Sequence, residues 1–100
     1  MAGIPLDAVF CRASTVAWRR VADEVVLVPV CRSVEGLDSV FVLNEVAGRV
    51  WELLDGRRRM SDIRDAIVRE FEVDPPEAGA DLMEIVGELA RLGVAAEVPS

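Results

Sequence analysis

The sequence contains no histidine, and Cys11 and Cys31 are its only cysteines. Without histidine, the chain lacks the commonest general base and metal ligand of proteins. Two isolated cysteines make neither a disulfide framework nor a Cys-x-x-Cys zinc site. We therefore expect two reduced thiols, no metal site, no cofactor of its own and no catalytic residue.

Long apolar runs are also missing. No run approaches the ~18 residues that a membrane span needs. The N-terminus, Met1–Pro5, has neither the basic region nor the apolar core of a signal peptide. We therefore expect the chain to stay in the cytoplasm and not to bind membranes.

Positive charge is scarce, since 11 basic residues face 18 acidic ones and the net charge is −7. Binding to nucleic acid or to anionic lipid requires a basic face. The composition thus favours neutral or basic partners and argues against nucleic acid.

One hundred residues, of which 52% are hydrophobic, suffice for one domain with one core. Residues 1–13 show no clear periodicity and are interpreted as a flexible arm. We expect the folded domain to occupy residues 14–95 and a short tail to occupy residues 96–100.

The pattern predicts three antiparallel strands, Val16–Val21, Glu24–Val28 and Ser39–Leu43. The first two strands form a hairpin around Ala22-Asp23, although this turn lacks the usual glycine. Pro29 has no amide to donate and should end the second strand. Cys31–Asp38 is predicted to be a connecting loop.

Three helices follow. Asn44 is expected to cap the first, which carries an apolar stripe to about Leu54 and stops at Asp55-Gly56. Ser61 is expected to cap the second, and Asp74, with Pro75 and Glu77 behind it, to cap the third. Gly93 should end the third helix, and Arg57–Arg59 should form the turn before the second.

The motif Leu43-Asn44-Glu45 followed by Val50-Trp51-Glu52-Leu53-Leu54-Asp55-Gly56 resembles the PqqD-like family of precursor-peptide chaperones. Downstream residues agree in spacing, so the resemblance runs from Trp18 to Val94. It implies an α+β, winged helix-turn-helix-like fold, with a three-stranded antiparallel sheet followed by three helices.

The resemblance also implies a function. It predicts a non-catalytic peptide chaperone that binds the leader of a ribosomally made precursor by strand addition and presents it to a modifying enzyme. For this family that enzyme is commonly a radical S-adenosylmethionine protein, whose cofactors would belong to the partner. The leader would lie between the third strand and the third helix. The residues expected to bind it are Val40, Phe41, Val42, Leu43, Asp81, Leu82, Ile85, Glu88 and Leu89.

The register of the third strand is left open by the sequence. Alternate residues of a strand direct their amides to opposite sides, so Val40 and Val42 form one set, and Ser39, Phe41 and Leu43 form the other. A shift by one residue would exchange the two sets.

Two other functions stay open. One is a winged-helix regulator that binds DNA through Arg57–Arg59 and its second helix, although Asp62, Asp65 and Glu70 lie on that helix. The other is a homodimer or self-associating structural domain, in which the open edge of the sheet pairs with a second copy.

Overall fold

A computed structural model describes residues 4–29 and 40–99. Its elements, in chain order, are β1 (Val9–Arg12), β2 (Val16–Val21), β3 (Glu24–Pro29), β4 (Phe41–Leu43), α1 (Glu45–Leu53), β5 (Asp55–Arg59), α2 (Met60–Phe71), α3 (Pro75–Arg91) and β6 (Ala95–Glu97). The predicted loop Cys31–Asp38 lies outside the described residues, as does Ser39. Within the described ranges, no helix is both long and apolar enough to cross a bilayer.

The expected three-stranded antiparallel sheet is present, in the order β2-β3-β4. The hairpin turns at Ala22-Asp23, where Ala22 takes a φ of 56°, the left-handed conformation that glycine adopts more readily. Pro29 is the last residue of β3 and of this described range. β3 therefore occupies the centre, and β4 lies at the edge of this sheet.

A second three-stranded sheet, in the order β5-β1-β6, corrects the sequence analysis in three places. Val9–Arg12 belongs to a strand rather than to a flexible arm, Ala95–Glu97 belongs to a strand rather than to a tail, and Arg57–Arg59 lie in β5 rather than in a turn. Phe10 anchors β1 in the core with 5% of its surface exposed. Strands of three to five residues are too short to show alternation, so only their distant partners reveal them.

α1 and α3 begin where predicted, with Asn44 and Asp74 at their N-cap positions, whereas α2 begins earlier than expected. Asn44 caps α1 as expected, because its Oδ1 accepts from the amide of Ala47 at 2.9 Å. α2 begins at Met60, before the expected cap Ser61, because Asp62 reaches back to accept from the amide of Arg59 at 3.0 Å. Asp74 precedes α3 but its side chain makes no capping hydrogen bond.

The core joins both sheets to the helices. Its largest fully buried side chains belong to Trp51, Leu27, Leu54, Met60, Ile63, Leu82, Leu89, Val25, Val50, Val86 and Val94. Trp18, 38% exposed on the edge strand β2, packs edge-on against Trp51 with ring centroids 6.4 Å apart. The apolar run Val50, Trp51, Leu53 and Leu54 at the end of α1 is therefore mainly a packing feature.

α1 approaches the sheet most closely at Gly48. A Cβ added at this position would lie 2.8 Å from Cγ2 of Val25 on β3. Only a residue without a side chain fits this distance, so Gly48 sets how closely α1 lies on the sheet. Gly87 on α3, by contrast, has no atom within 4 Å of its added Cβ.

A chain of ion pairs ties β2, α1 and α2 together on the surface. Arg20 donates to both carboxylate oxygens of Glu52, at 2.9 and 2.8 Å. Arg49 donates to both oxygens of Glu70, at 2.7 and 3.1 Å, and also contacts Glu52. The hydrogen bond from Arg20 lowers the pKa of Glu52, and the hydrogen bond from Arg49 lowers the pKa of Glu70.

The two glycines make a matched pair for a stability test. Alanine favours a helix interior by ~0.5–1 kcal/mol over glycine. We expect Gly87→Ala to raise the free energy of unfolding by about that amount. Gly48→Ala should instead lower it, because overpacking at Val25 costs ~1–3 kcal/mol. Urea denaturation of both variants measures the difference, and equal stabilisation by both would contradict the close approach of α1.

The lowered pKa of Glu52 predicts a pH dependence. A carboxyl whose pKa is lower in the folded than in the unfolded chain stabilises the fold above its ordinary pKa of 4.5. This stabilisation is lost as the pH falls through the folded value. Glu52→Gln should therefore lower the thermal midpoint slightly at pH 7, and the difference should shrink below pH 4.5. Glu97→Gln, on the exposed end of β6, is the control, and a difference independent of pH would contradict the ion-pair mechanism.

Candidate functional site

A cavity of about 480 Å³ opens between β4 and α3. Its volume lies within the ~300–1,000 Å³ typical of ligand clefts. The residues that line it are Phe41, Leu43, Ala47, Glu84, Ile85, Glu88, Leu89 and Arg91. We call this cavity the groove.

The groove has an apolar floor and a charged rim. Leu43 and Leu89 belong to the core and form the deepest part, with 5% and 1% of their surface exposed. Phe41 and Ile85 are half-buried at the mouth. Glu84 and Glu88 lie one helical turn apart on the exposed side of α3, and Arg91 pairs with Glu88. Such a site can hold an apolar side chain and place a carboxylate beside it.

The structure brings together part of the predicted set. Phe41, Leu43, Ile85, Glu88 and Leu89 line the groove, whereas Val40, Val42, Asp81 and Leu82 do not. Leu82 is 1% exposed and packs in the core. Asp81 lies about one turn before Glu84, beyond the reach of β4, which has only three residues.

Three groove residues, Ala47, Glu84 and Arg91, were not among the predicted ones. Glu84 and Glu88 have the same spacing of four as Ile85 and Leu89, one position away. That spacing is the signal that could have placed Glu84 at the groove. Ala47 and Arg91 carry no comparable signal, because they reach the groove only through the packing of the helices.

The register settles which backbone groups of β4 face outward. The turn joins Val21 and Glu24, so this pair exchanges hydrogen bonds, and every second pair along the hairpin does the same. Val26 therefore bonds to β2, whereas Val25 and Leu27 bond to their partners on β4, Leu43 and Phe41. Val42, opposite Val26, directs its amide and carbonyl to the open edge.

The same register determines the face of the sheet to which each side chain of β4 points. Paired residues of neighbouring strands point to one face, so Phe41 and Leu43 share the inner face with the buried Val25 and Leu27. Val42 points to the outer face and is 51% exposed. β4 thus offers its inner side chains to the groove and the backbone of Val42 to an added strand.

No other strand pairs with the outer side of β4 among the described residues. Within residues 4–29 and 40–99, no group of three or more histidine, cysteine, aspartate or glutamate side chains could hold a metal ion. Cys11, half-buried in β1, is a free thiol. Cys31 lies outside the described residues.

Comparison with protein families and solved structures identifies relatives of this fold. The family model described as coenzyme PQQ synthesis protein D (PqqD) matches residues 24–95. No curated protein matches the sequence significantly.

Two solved structures are similar over almost their whole length. One is TbiB1 in complex with the TbiA(beta) leader peptide, with a TM-score of 0.74 and 29% identity, covering 90% of this chain and 99% of that one. The other is a lasso peptide synthetase B1 complexed with its leader peptide, with a TM-score of 0.72 and 20% identity, covering 87% and 96%. At 20% identity, the second similarity concerns the fold alone.

Proposed function

We propose a function on the premise that the chain belongs to the PqqD family, whose model covers residues 24–95. The protein binds the leader of a ribosomally made precursor peptide and presents that peptide to a modifying enzyme. The observation that carries this proposal is the groove, an apolar cavity directly beside the open backbone edge of β4.

The leader adds to sheet β2-β3-β4 as a fourth strand. An extended peptide recognised at a sheet edge obtains affinity from main-chain hydrogen bonds and specificity from pockets for alternate side chains. Val42 supplies an outward amide and carbonyl, and the groove receives the side chains that point inward. The complex of TbiB1 with a leader peptide supports this assignment, because that chain is similar over 99% of its length.

Energetics favour apolar anchors over backbone contacts. A backbone hydrogen bond contributes only ~0.5–1.5 kcal/mol net. Burying an aliphatic or aromatic side chain contributes ~1.5–3 kcal/mol. Since association itself has a large entropic cost, the leader needs one or two anchors seated on Leu43 and Leu89 to reach micromolar affinity.

The charged rim gives a preference for basic leaders. Glu84 and Glu88 stand at the mouth of the groove, where an added strand would pass. Arg91 already pairs with Glu88, which leaves Glu84 as the stronger attraction for a basic side chain. Asp81, the other acid of this helix face in our sequence prediction, lies outside the groove lining.

In this proposal the chain is a carrier and not an enzyme. The chemistry belongs to the partner, which the family resemblance predicts to be a radical S-adenosylmethionine protein, and both would act in the cytoplasm. The groove walls supply no nucleophile with an adjacent base. The carrier therefore contributes binding and positioning alone.

A role as a DNA-binding regulator is the less favoured alternative. Arg58 is paired with Asp55 at 2.5 Å, and Arg49 is paired with Glu70. These pairs neutralise much of the local basic charge, and the chain as a whole is acidic. Phosphate binding would require an uncompensated basic surface.

Proline on β4 tests strand addition. We expect Phe41→Pro to lose the fold, because the amide of Phe41 bonds to β3. Val42→Pro should stay folded, because the amide of Val42 faces the open edge. It should bind the leader at least ~10-fold more weakly, because the variant lacks that amide donor and the proline ring contacts the added strand. Circular dichroism reports folding. Fluorescence anisotropy reports binding of a labelled synthetic leader peptide that carries an apolar anchor with an arginine beside it.

Alanine provides the matched controls, since it removes the side chain and keeps the amide. Val42→Ala should bind the leader nearly as well as the parent, because the Val42 side chain points away from the groove. If folded Val42→Pro binds as tightly as the parent, the leader does not add to this edge.

Charge reversal at the rim tests selectivity. Glu84→Lys with Glu88→Lys should weaken binding of a synthetic leader that carries arginine beside its apolar anchor, by ~2- to 10-fold for partly exposed pairs. The effect should diminish at high salt. Asp81→Lys is the control on the same helix, and we expect it to leave binding unchanged. An equal loss for Asp81→Lys would place the basic side chain elsewhere.

A further inference from the structure

The outer face of sheet β2-β3-β4 is mostly apolar, with Arg19 and Glu24 as its charged residues. The apolar side chains that point away from the helices include Ala17, Val21, Val26, Val28 and Val42. Together with Val40, which directly precedes β4, we call them the valine face. Four of these valines are among the exposed large hydrophobic residues, with Val21 50%, Val28 40%, Val40 57% and Val42 51% exposed. An antiparallel sheet with one solvated face normally alternates apolar and polar residues, so this face is unusual.

The valine face is continuous with the edge that binds the leader. Arg19, Val26 and Val42 form one row across the three strands. An added strand extends this row, because its side chains alternate between the groove and the outer face. Half of the side chains of a bound leader therefore join the valine face, which is complete only when the leader is present.

The area of the face argues against a second copy as its occupant. β2 and β3 have six residues each at ~3.4 Å per residue, and β4 has three, so at ~4.8 Å spacing the three strands fit within roughly 20 by 14 Å and cover less than about 300 Å². A stable interface needs ~800 Å² on each partner. Two copies of a chain with net charge −7 also repel each other.

A small face can serve a partner that is already tethered. The precursor peptide joins the leader, held on this chain, to the segment on which the modifying enzyme acts. Such a link raises the effective concentration of the enzyme and makes a weak contact sufficient. Arg19, which forms no salt bridge within the described residues, stands at the β2 end of the row and can accept a carboxylate partner.

We propose that the valine face is the docking surface for the enzyme that modifies the precursor. The enzyme presents an apolar patch to the valines and a carboxylate to Arg19, and it binds the leader-loaded chain more tightly than the free chain. The inference rests on the proposed function and adds to it a second surface, opposite to the groove, that distinguishes the loaded from the empty carrier.

Substitutions on β2 and β3 test this surface without altering the leader site. Val21→Thr with Val28→Thr removes two exposed methyl groups while keeping β-branched residues suited to strands. Arg19→Glu reverses the charge. Arg57→Glu, exposed on β5 of the other sheet, is the control. Thermal melting establishes that every variant folds.

Two affinities are measured for each variant. Anisotropy gives the affinity for the leader, and surface plasmon resonance gives the affinity of the leader-loaded chain for the purified enzyme that modifies the precursor. We expect the leader affinity to stay within about twofold of the parent, and the enzyme affinity to fall at least ~10-fold for the double threonine variant and for Arg19→Glu, but not for Arg57→Glu.

The outcomes separate this inference from the proposed function. Intact leader binding with unchanged enzyme binding would overturn the valine face alone. Loss of leader binding in the threonine variant would also overturn it, because the face would then belong to the leader site. A dimer of the parent that the threonine variant abolishes would assign the face to a second copy. A parent chain that binds no leader would overturn both proposals.

Discussion

The contact between Gly48 and Val25 is the constraint on which the rest of the structure depends. It allows the backbone of α1 to lie directly on β3, the central strand of sheet β2-β3-β4. With α1 at this distance, Trp51 is fully enclosed and Ala47 reaches the wall of the groove. A bulkier residue at position 48 would lift the helix, and the cavity between β4 and α3 would change shape together with the core.

The elements of this fold that depend on neighbouring residues, such as helix caps, could be predicted from the sequence. Asn44 caps α1 with its own side chain, and Pro75 begins α3 directly after Asp74. The second sheet could not be read in the same way. β1 finds its partners near residues 55–59 and 95–97, so its conformation depends on contacts far along the chain. The apolar residues Leu6, Val9 and Phe10 in the segment predicted to be a flexible arm gave no indication of these partners.

In the candidate site, too, some features could be predicted from the sequence and others could not. The family resemblance implied a groove between β4 and α3. Helical periodicity predicted the apolar stripe that contains Ile85 and Leu89. Asp81 lies outside the groove lining, because periodicity identifies a helix face but not the stretch of that face opposite a short strand. The orientation of Val42 needed the hairpin register, which the sequence leaves open since both settings satisfy alternation.

The shortness of β4 has a consequence for the free protein. An exposed edge strand can template aggregation, and natural proteins often keep such edges very short. β4 has three residues, and the register leaves Val42 as the one of them whose backbone groups face outward. An edge of this length offers too few hydrogen bonds to hold an arbitrary strand, so only a peptide that also fills the neighbouring cavity is retained. The short edge thus limits edge-to-edge pairing between copies of the free chain.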